Sequence, residues 1–170
     1  MKAKSVLGNP STPAPHGHPS EIQSVLTHSF AQGIQRILVP IDFSDGSVRA
    51  LEYALRLGHD LQAKVILLHV LEGTSSHLEP GTEDNYQHLI EAEQERLSDL
   101  LRKRNTPRPA TELLVRIGRA SSEIPDTAKA LGADLIALGA QGENPVKTMP
   151  LGSTTERVLR HAGCPVLTVR

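Results

Sequence analysis

The chain has 170 residues, room for one ordinary domain and a tail. Its 18 basic and 19 acidic side chains leave a net charge of −1, which argues against a nucleic-acid partner or an anionic membrane. Two Phe, two Tyr and no Trp leave almost no stacking platform for single strands, and the single cysteine, Cys164, excludes an internal disulfide and suits a reducing, cytoplasmic setting.

Residues 1–33 are rich in Pro, Ser, Gly and His and contain no apolar run long enough for a secretory signal. They are expected to form a mobile extension, its His16 and His18 solvated, with the domain occupying 34–170. The longest apolar stretch, Val65 to Leu71, is broken by His69 and is far short of a membrane span.

From Arg36 the pattern becomes regular. RILVPI (Arg36–Ile41) reads as a strand buried on both faces. It ends at Asp42, and Ser44 is placed to cap a helix whose Val48, Leu51, Leu55 and Leu61 recur at helical spacing. KVILLHV (Lys64–Val70) is a second buried strand. A polar loop leads to a charged helix from about Asn85 to Arg104, with Leu89, Ile90, Leu97, Leu100 and Leu101 facing inward and EAEQER solvated.

TELLVRI (Thr111–Ile117) is the third strand. Ser121 or Ser122 is expected to cap the next helix, leaving Pro125 in its first turn. DLIAL (Asp134–Leu138) is the fourth strand. After a long loop, STTERVLRHA (Ser153–Ala162) forms a short helix and PVLTVR (Pro165–Arg170) the fifth strand. The alternation predicts an α/β fold: an open, mainly parallel five-stranded sheet with helices on both faces, Rossmann-like, and strand order 3-2-1-4-5.

In such sheets ligands bind beyond the carboxyl ends of the strands, where the order reverses. In the predicted order, Asp42 and Gly139 face each other there. The intervening loop, GAQGENPVKTMPLGST (Gly139–Thr154), is long for a compact domain. Gly139 and Gly142 let a polyanion approach the backbone, and Gly152-Ser153 opens a helix whose free N–H groups suit an anion. The hydroxyls of Ser153, Thr154 and Thr155 are available to phosphate oxygens. A plain turn followed by a helix cap explains either half of the loop alone; both halves together at a sheet mouth point to phosphate.

The spacing Gly-x₂-Gly-x₉-Gly-Ser, with RILVPIDFSDGSVRALEYA, KVILLHV, VRIGRASSEI, ADLIALGAQG and GSTTERVLRHAGCPVLTVR in that order, resembles the universal stress protein family from about Gln35 to Arg170. The resemblance implies an ATP-binding, single-domain member, with Mg²⁺ or Mn²⁺ accompanying the nucleotide. It assigns Asp42 and Val70 to the adenine and Val39, Pro40 and Ile41 to the nearby floor. Leu138 and Gly139 fall on the ribose side, and Gly142, Gly152, Ser153 and Thr154 on ribose and phosphates. Gln141 stands where relatives commonly carry His or Arg and donates without charge; Lys147 is read as solvated. The resemblance also implies a homodimer through strand 165–170, an apolar edge strand with Arg170 its only deterrent charge.

Competing patterns are weaker. GENPVKT (Gly142–Thr148) places Lys147 where a P-loop requires its second glycine. Asp42 with Asp45 suggests an aspartyl nucleophile, but Asp45 is accounted for by the helix start. His69, at the end of the second strand, is within reach of the cleft but is read as packed against a neighbouring strand, and Cys164 as a buried small apolar residue. Two function classes follow: a non-catalytic, ATP-binding regulator of the stress response, and a slow ATP hydrolase or phosphotransferase. No residue presents itself as nucleophile or water activator, which favours the regulator.

Overall fold

The computed structural model describes residues 33–72, 83–106, 108–142 and 150–170. The amino-terminal stretch 1–32 and the loop centre with Lys147 therefore lie outside the described residues. The elements are β1 (Arg36–Pro40), α1 (Asp45–Leu61), β2 (Lys64–Leu71), α2 (Glu83–Arg102), β3 (Thr111–Ile117), α3 (Ala120–Leu131), β4 (Leu135–Gly139), α4 (Ser153–His161) and β5 (Val166–Val169). All strand pairs are parallel and the order is β3-β2-β1-β4-β5, as the alternation predicts.

The sheet divides the core into two layers because successive strand residues point to opposite faces. Ile37, Val39 and Ile41 of the first strand region meet Leu51 and Leu55 of α1 and Leu97 of α2 on one face. Leu38, with Ile66 and Leu68 of β2, meets Ile124 and Ala128 of α3 and Val158 of α4 on the other. β1 sits at the centre and is almost wholly buried, which is why its pattern is a continuous apolar run.

Several local expectations change. Leu61 and Leu89 are exposed rather than inward-facing. α3 starts at Ala120, ahead of both serines, with Arg119 at its cap and no side-chain cap bond there. The Ala120 N–H instead donates to Glu72 Oε1 at 2.6 Å, a carboxylate from the end of β2. Pro125 consequently lies inside the helix, beyond its first turn. Cys164 is half-buried, and burial, followed by the nearby Asp134 charge, pushes its thiol pKa up.

Candidate nucleotide site

Two residues after β1 the chain reverses direction into α1. Ser44 caps α1 by accepting from the Ser47 N–H at 3.2 Å. Asp42 Oδ1 in turn accepts from the Ser44 N–H at 3.0 Å and its hydroxyl at 2.5 Å. This local net holds the carboxylate at the strand's mouth and is a direct product of the Asp-x-Ser spacing.

The fourth strand ends against the same turn. The peptide of Gly139 packs on that of Gly46: a Cβ on Gly139 would lie 2.7 Å from Gly46 C, and one on Gly46 would lie 2.5 Å from Gln141 O. Gly139 therefore serves helix–strand packing while sharing the cleft wall with Asp42, and Gly142 stands against that carboxylate. A Cβ on Gly142 would stand 2.5 Å from Asp42 Oδ2. The sheet order brings the carboxylate and the glycine loop to one mouth, as the sequence pattern suggested.

Gly152 differs from these glycines. Its φ of −73° and ψ of 156° are open to any residue, and a Cβ there would meet protein atoms no closer than 3.6 Å. Its own N–H donates to Ala140 O at 2.8 Å, and the Glu156 N–H returns to Gly152 O at 2.9 Å. Ser153 and Thr154 are the first two residues of α4, where N–H groups precede the helical ladder. Thr155 lines the cleft too, but its hydroxyl donates its one proton to Gly139 O at 3.0 Å and so has none left to give a phosphate oxygen.

Between the starts of α3 and α4 lies a cleft of about 390 Å³. Pro40, Ile41, Asp42, Val70, Leu138, Gly139, Gln141, Gly142, Gly152, Ser153 and Thr154 all line it. Val39 does not; its 0% exposure places it inside the core, on the α1–α2 face. Ser47, Leu68, Glu72, Ala120 and Ile124 also line the cleft and were missed from sequence, and His69 and Thr155 stand in its wall as well. Glu72 follows the same rule as Asp42, a carboxylate just beyond a buried strand, and that signal was available. The two helix starts differ in kind: α3 has its leading N–H taken by Glu72, whereas α4 is capped by a residue with no side chain.

Asp45 stands exposed at the start of α1. Among the described residues no three His, Cys, Asp or Glu side chains converge as a metal site, and no helix is long and apolar enough to cross a membrane.

Comparisons with known proteins agree with this architecture. The profile of the universal stress protein family matches residues 33–170. Universal stress protein MJ0531 of Methanocaldococcus jannaschii is 30% identical over 142 residues, covering 80% of this chain and 82% of the relative. Universal stress protein G of Shigella flexneri is 32% identical over 143 residues, covering 79% and 97%. Among solved structures, the universal stress protein UspA from Lactobacillus plantarum superimposes with a TM-score of 0.67 at 32% identity, covering 81% of this chain and 98% of that one. The strand order, the carboxylate at the mouth of β1, the glycine loop after β4 and the match along nearly the whole described domain have one common explanation: this chain belongs to the universal stress protein family.

Proposed function

We propose that the cleft binds ATP and that the protein is a cytoplasmic, non-catalytic regulator whose nucleotide state is read by a partner. The observation that carries the reading is Gly152. Neither the backbone angles nor the packing around it call for glycine. A phosphate approaching the leading N–H groups of α4 does call for it, because a side chain there would hold the anion off. The cleft volume is also that of an ordinary small-molecule site.

In this reading phosphates lie along Gly142, Gly152, Ser153 and Thr154, with Gln141 as an uncharged donor. Leu138 and Gly139 flank the ribose, and Asp42 and Val70 face the adenine over Pro40 and Ile41. Val39 supports that floor from within the core rather than touching the ligand. The donor set also fits Mg²⁺ or Mn²⁺ carried on the nucleotide: Mg²⁺ is usually held by phosphate oxygens with one or two protein oxygens rather than by an all-protein cage. Such an ion would neutralise phosphate charge in a cleft whose described wall carries two carboxylates, Asp42 and Glu72.

The experiment is calorimetry of the full chain with ATP, GTP and cAMP, with and without Mg²⁺, alongside Gly152→Val. ATP is expected to bind more tightly than GTP, and Gly152→Val to bind neither while keeping its circular dichroism spectrum. Equal ATP affinity in wild type and Gly152→Val would remove the phosphate assignment.

A further inference from the structure

The turn that presents Asp42 is held from behind the sheet. Phe43, the next residue, has φ 64°, a left-handed conformation that a bulky side chain without local hydrogen bonding of its own rarely adopts. Such a conformation persists only where the surroundings over-determine it, and here they do. The side chain of His69 leaves β2 on the face covered by α1 and α2, and its Nδ1 lies 2.7 Å from Ile41 O. Because a carbonyl can only accept, Nδ1 carries a proton and donates. The His69 ring lies 5.0 Å from the Phe43 ring, and the Arg96 guanidinium of α2 lies 4.0 Å from the Phe43 ring centroid.

Arg96 is itself held by both carboxylate oxygens of Glu93 at 2.8 Å. Glu93 Oε2 lies 3.6 Å from His69 Nε2, beyond hydrogen-bond length, and so packs beside the ring without a bond to it. The His69 and Glu93 side chains are 13% and 14% exposed, so this is a built cluster and not a chance surface pair. Two of its members come from EAEQER, the stretch read from sequence as solvated. The residues on both sides of Asp42 are thus held: Ile41 by its carbonyl, Phe43 by its ring. Ser44 holds one carboxylate oxygen, and the other lies on the side of Gly142.

We infer that His69 and Arg96 are positioning residues that aim Asp42 and thereby set which base the cleft accepts. The inference rests on the proposed reading of Asp42 as base-facing. A cluster that merely packed would change stability when broken and would leave the choice of base alone.

The test uses the full chain with His69→Leu, His69→Asn and Arg96→Ala, titrated with ATP, GTP and inorganic tripolyphosphate. His69→Leu and Arg96→Ala are expected to lose at least tenfold of the ATP-over-GTP preference, with tripolyphosphate affinity within about twofold of wild type. His69→Asn, whose amide nitrogen can take the place of Nδ1, is expected to keep the preference. If His69→Leu does not fold, Arg96→Ala carries the test, since the Arg96 side chain is 56% exposed. A folded Arg96→Ala with unchanged preference overturns the inference.

Amide exchange at Ser44 reads the turn without nucleotide, because that N–H is bonded to Asp42. It is expected to quicken at least tenfold in Arg96→Ala relative to amides of β1, and unchanged exchange overturns the clamp. A wild type that binds no ATP, or does not prefer it to GTP, overturns the assignment of base selectivity together with the reading of the cleft; the Ser44 result then still decides the clamp.

Discussion

Gly139 at the end of β4 lies directly against Gly46 in the first turn of α1, so that a Cβ on Gly139 would stand 2.7 Å from Gly46 C, inside contact distance. Gly139→Ala must therefore push α1 off the strand, and overpacking of this kind costs about 1–3 kcal/mol. Gly152→Ala, with nothing closer than 3.6 Å, should stay within about 0.5 kcal/mol of wild type. Urea denaturation of the two variants checks the contrast. Equal losses at both positions would show that Gly152 also serves packing, and would remove the argument drawn from it.

Thr155 ties α4 to β4 through its hydroxyl and Gly139 O, at 3.0 Å and almost fully buried. Thr155→Val keeps the shape and strands that carbonyl, at a cost of about 1–3 kcal/mol. Thr155→Ser retains the bond and should be the milder change. If valine is tolerated as well as serine, the bond is not what holds the helix start in place.

Cys164 has a thiol pKa raised by burial and then by the Asp134 charge. A raised folded-state pKa means that the native chain holds the proton more tightly than the unfolded chain. The associated stability is present below the unfolded thiol's pKa and is lost as pH rises through the folded one. Alkylation of the native protein should accordingly reach half its maximal rate at higher pH than alkylation of the urea-unfolded chain, and Cys164→Ala should flatten the alkaline fall in stability. An alkylation profile shifted toward lower pH would contradict the burial argument.

The proposed dimer edge is more selective than its apolar pattern suggests. Ile136 N–H donates to Pro165 O at 3.0 Å and Ala140 N–H to Val169 O at 2.8 Å. Backbone direction alternates along a strand, so Leu167 also turns its peptide groups to β4, while Val166 and Thr168 turn theirs to the open edge. Thr168→Pro is expected to weaken a homodimer by removing an outward donor. Leu167→Pro would instead damage β4–β5 pairing within one chain. Light scattering with circular dichroism separates these outcomes. A dimer unaffected by Thr168→Pro would place the interface elsewhere.

The fold was legible because its signals are local. Buried parallel strands read as continuous apolar runs, helices repeat at 3.6 residues, and their alternation leaves few arrangements of a sheet. The site was legible to the same depth: Asp42, Gly142 and Gly152 could be placed at one mouth because strand ends collect there in any open α/β sheet. What the side chains do at that mouth was decided by partners far away in the chain. Gly139 turned out to serve Gly46, Glu72 to cap α3 from 48 positions away, and Thr155 to bind a strand carbonyl. Val39 fell into the core because its place in the β1 alternation points it at α1 and α2 rather than at the cleft. Glu93 and Arg96 look like solvated charges in sequence, and only the packing of α2 beside His69 and Phe43 gives them partners. Periodicity records which face of an element is apolar; it does not record which element that face will meet, and the contacts that hold Asp42 depend on that meeting.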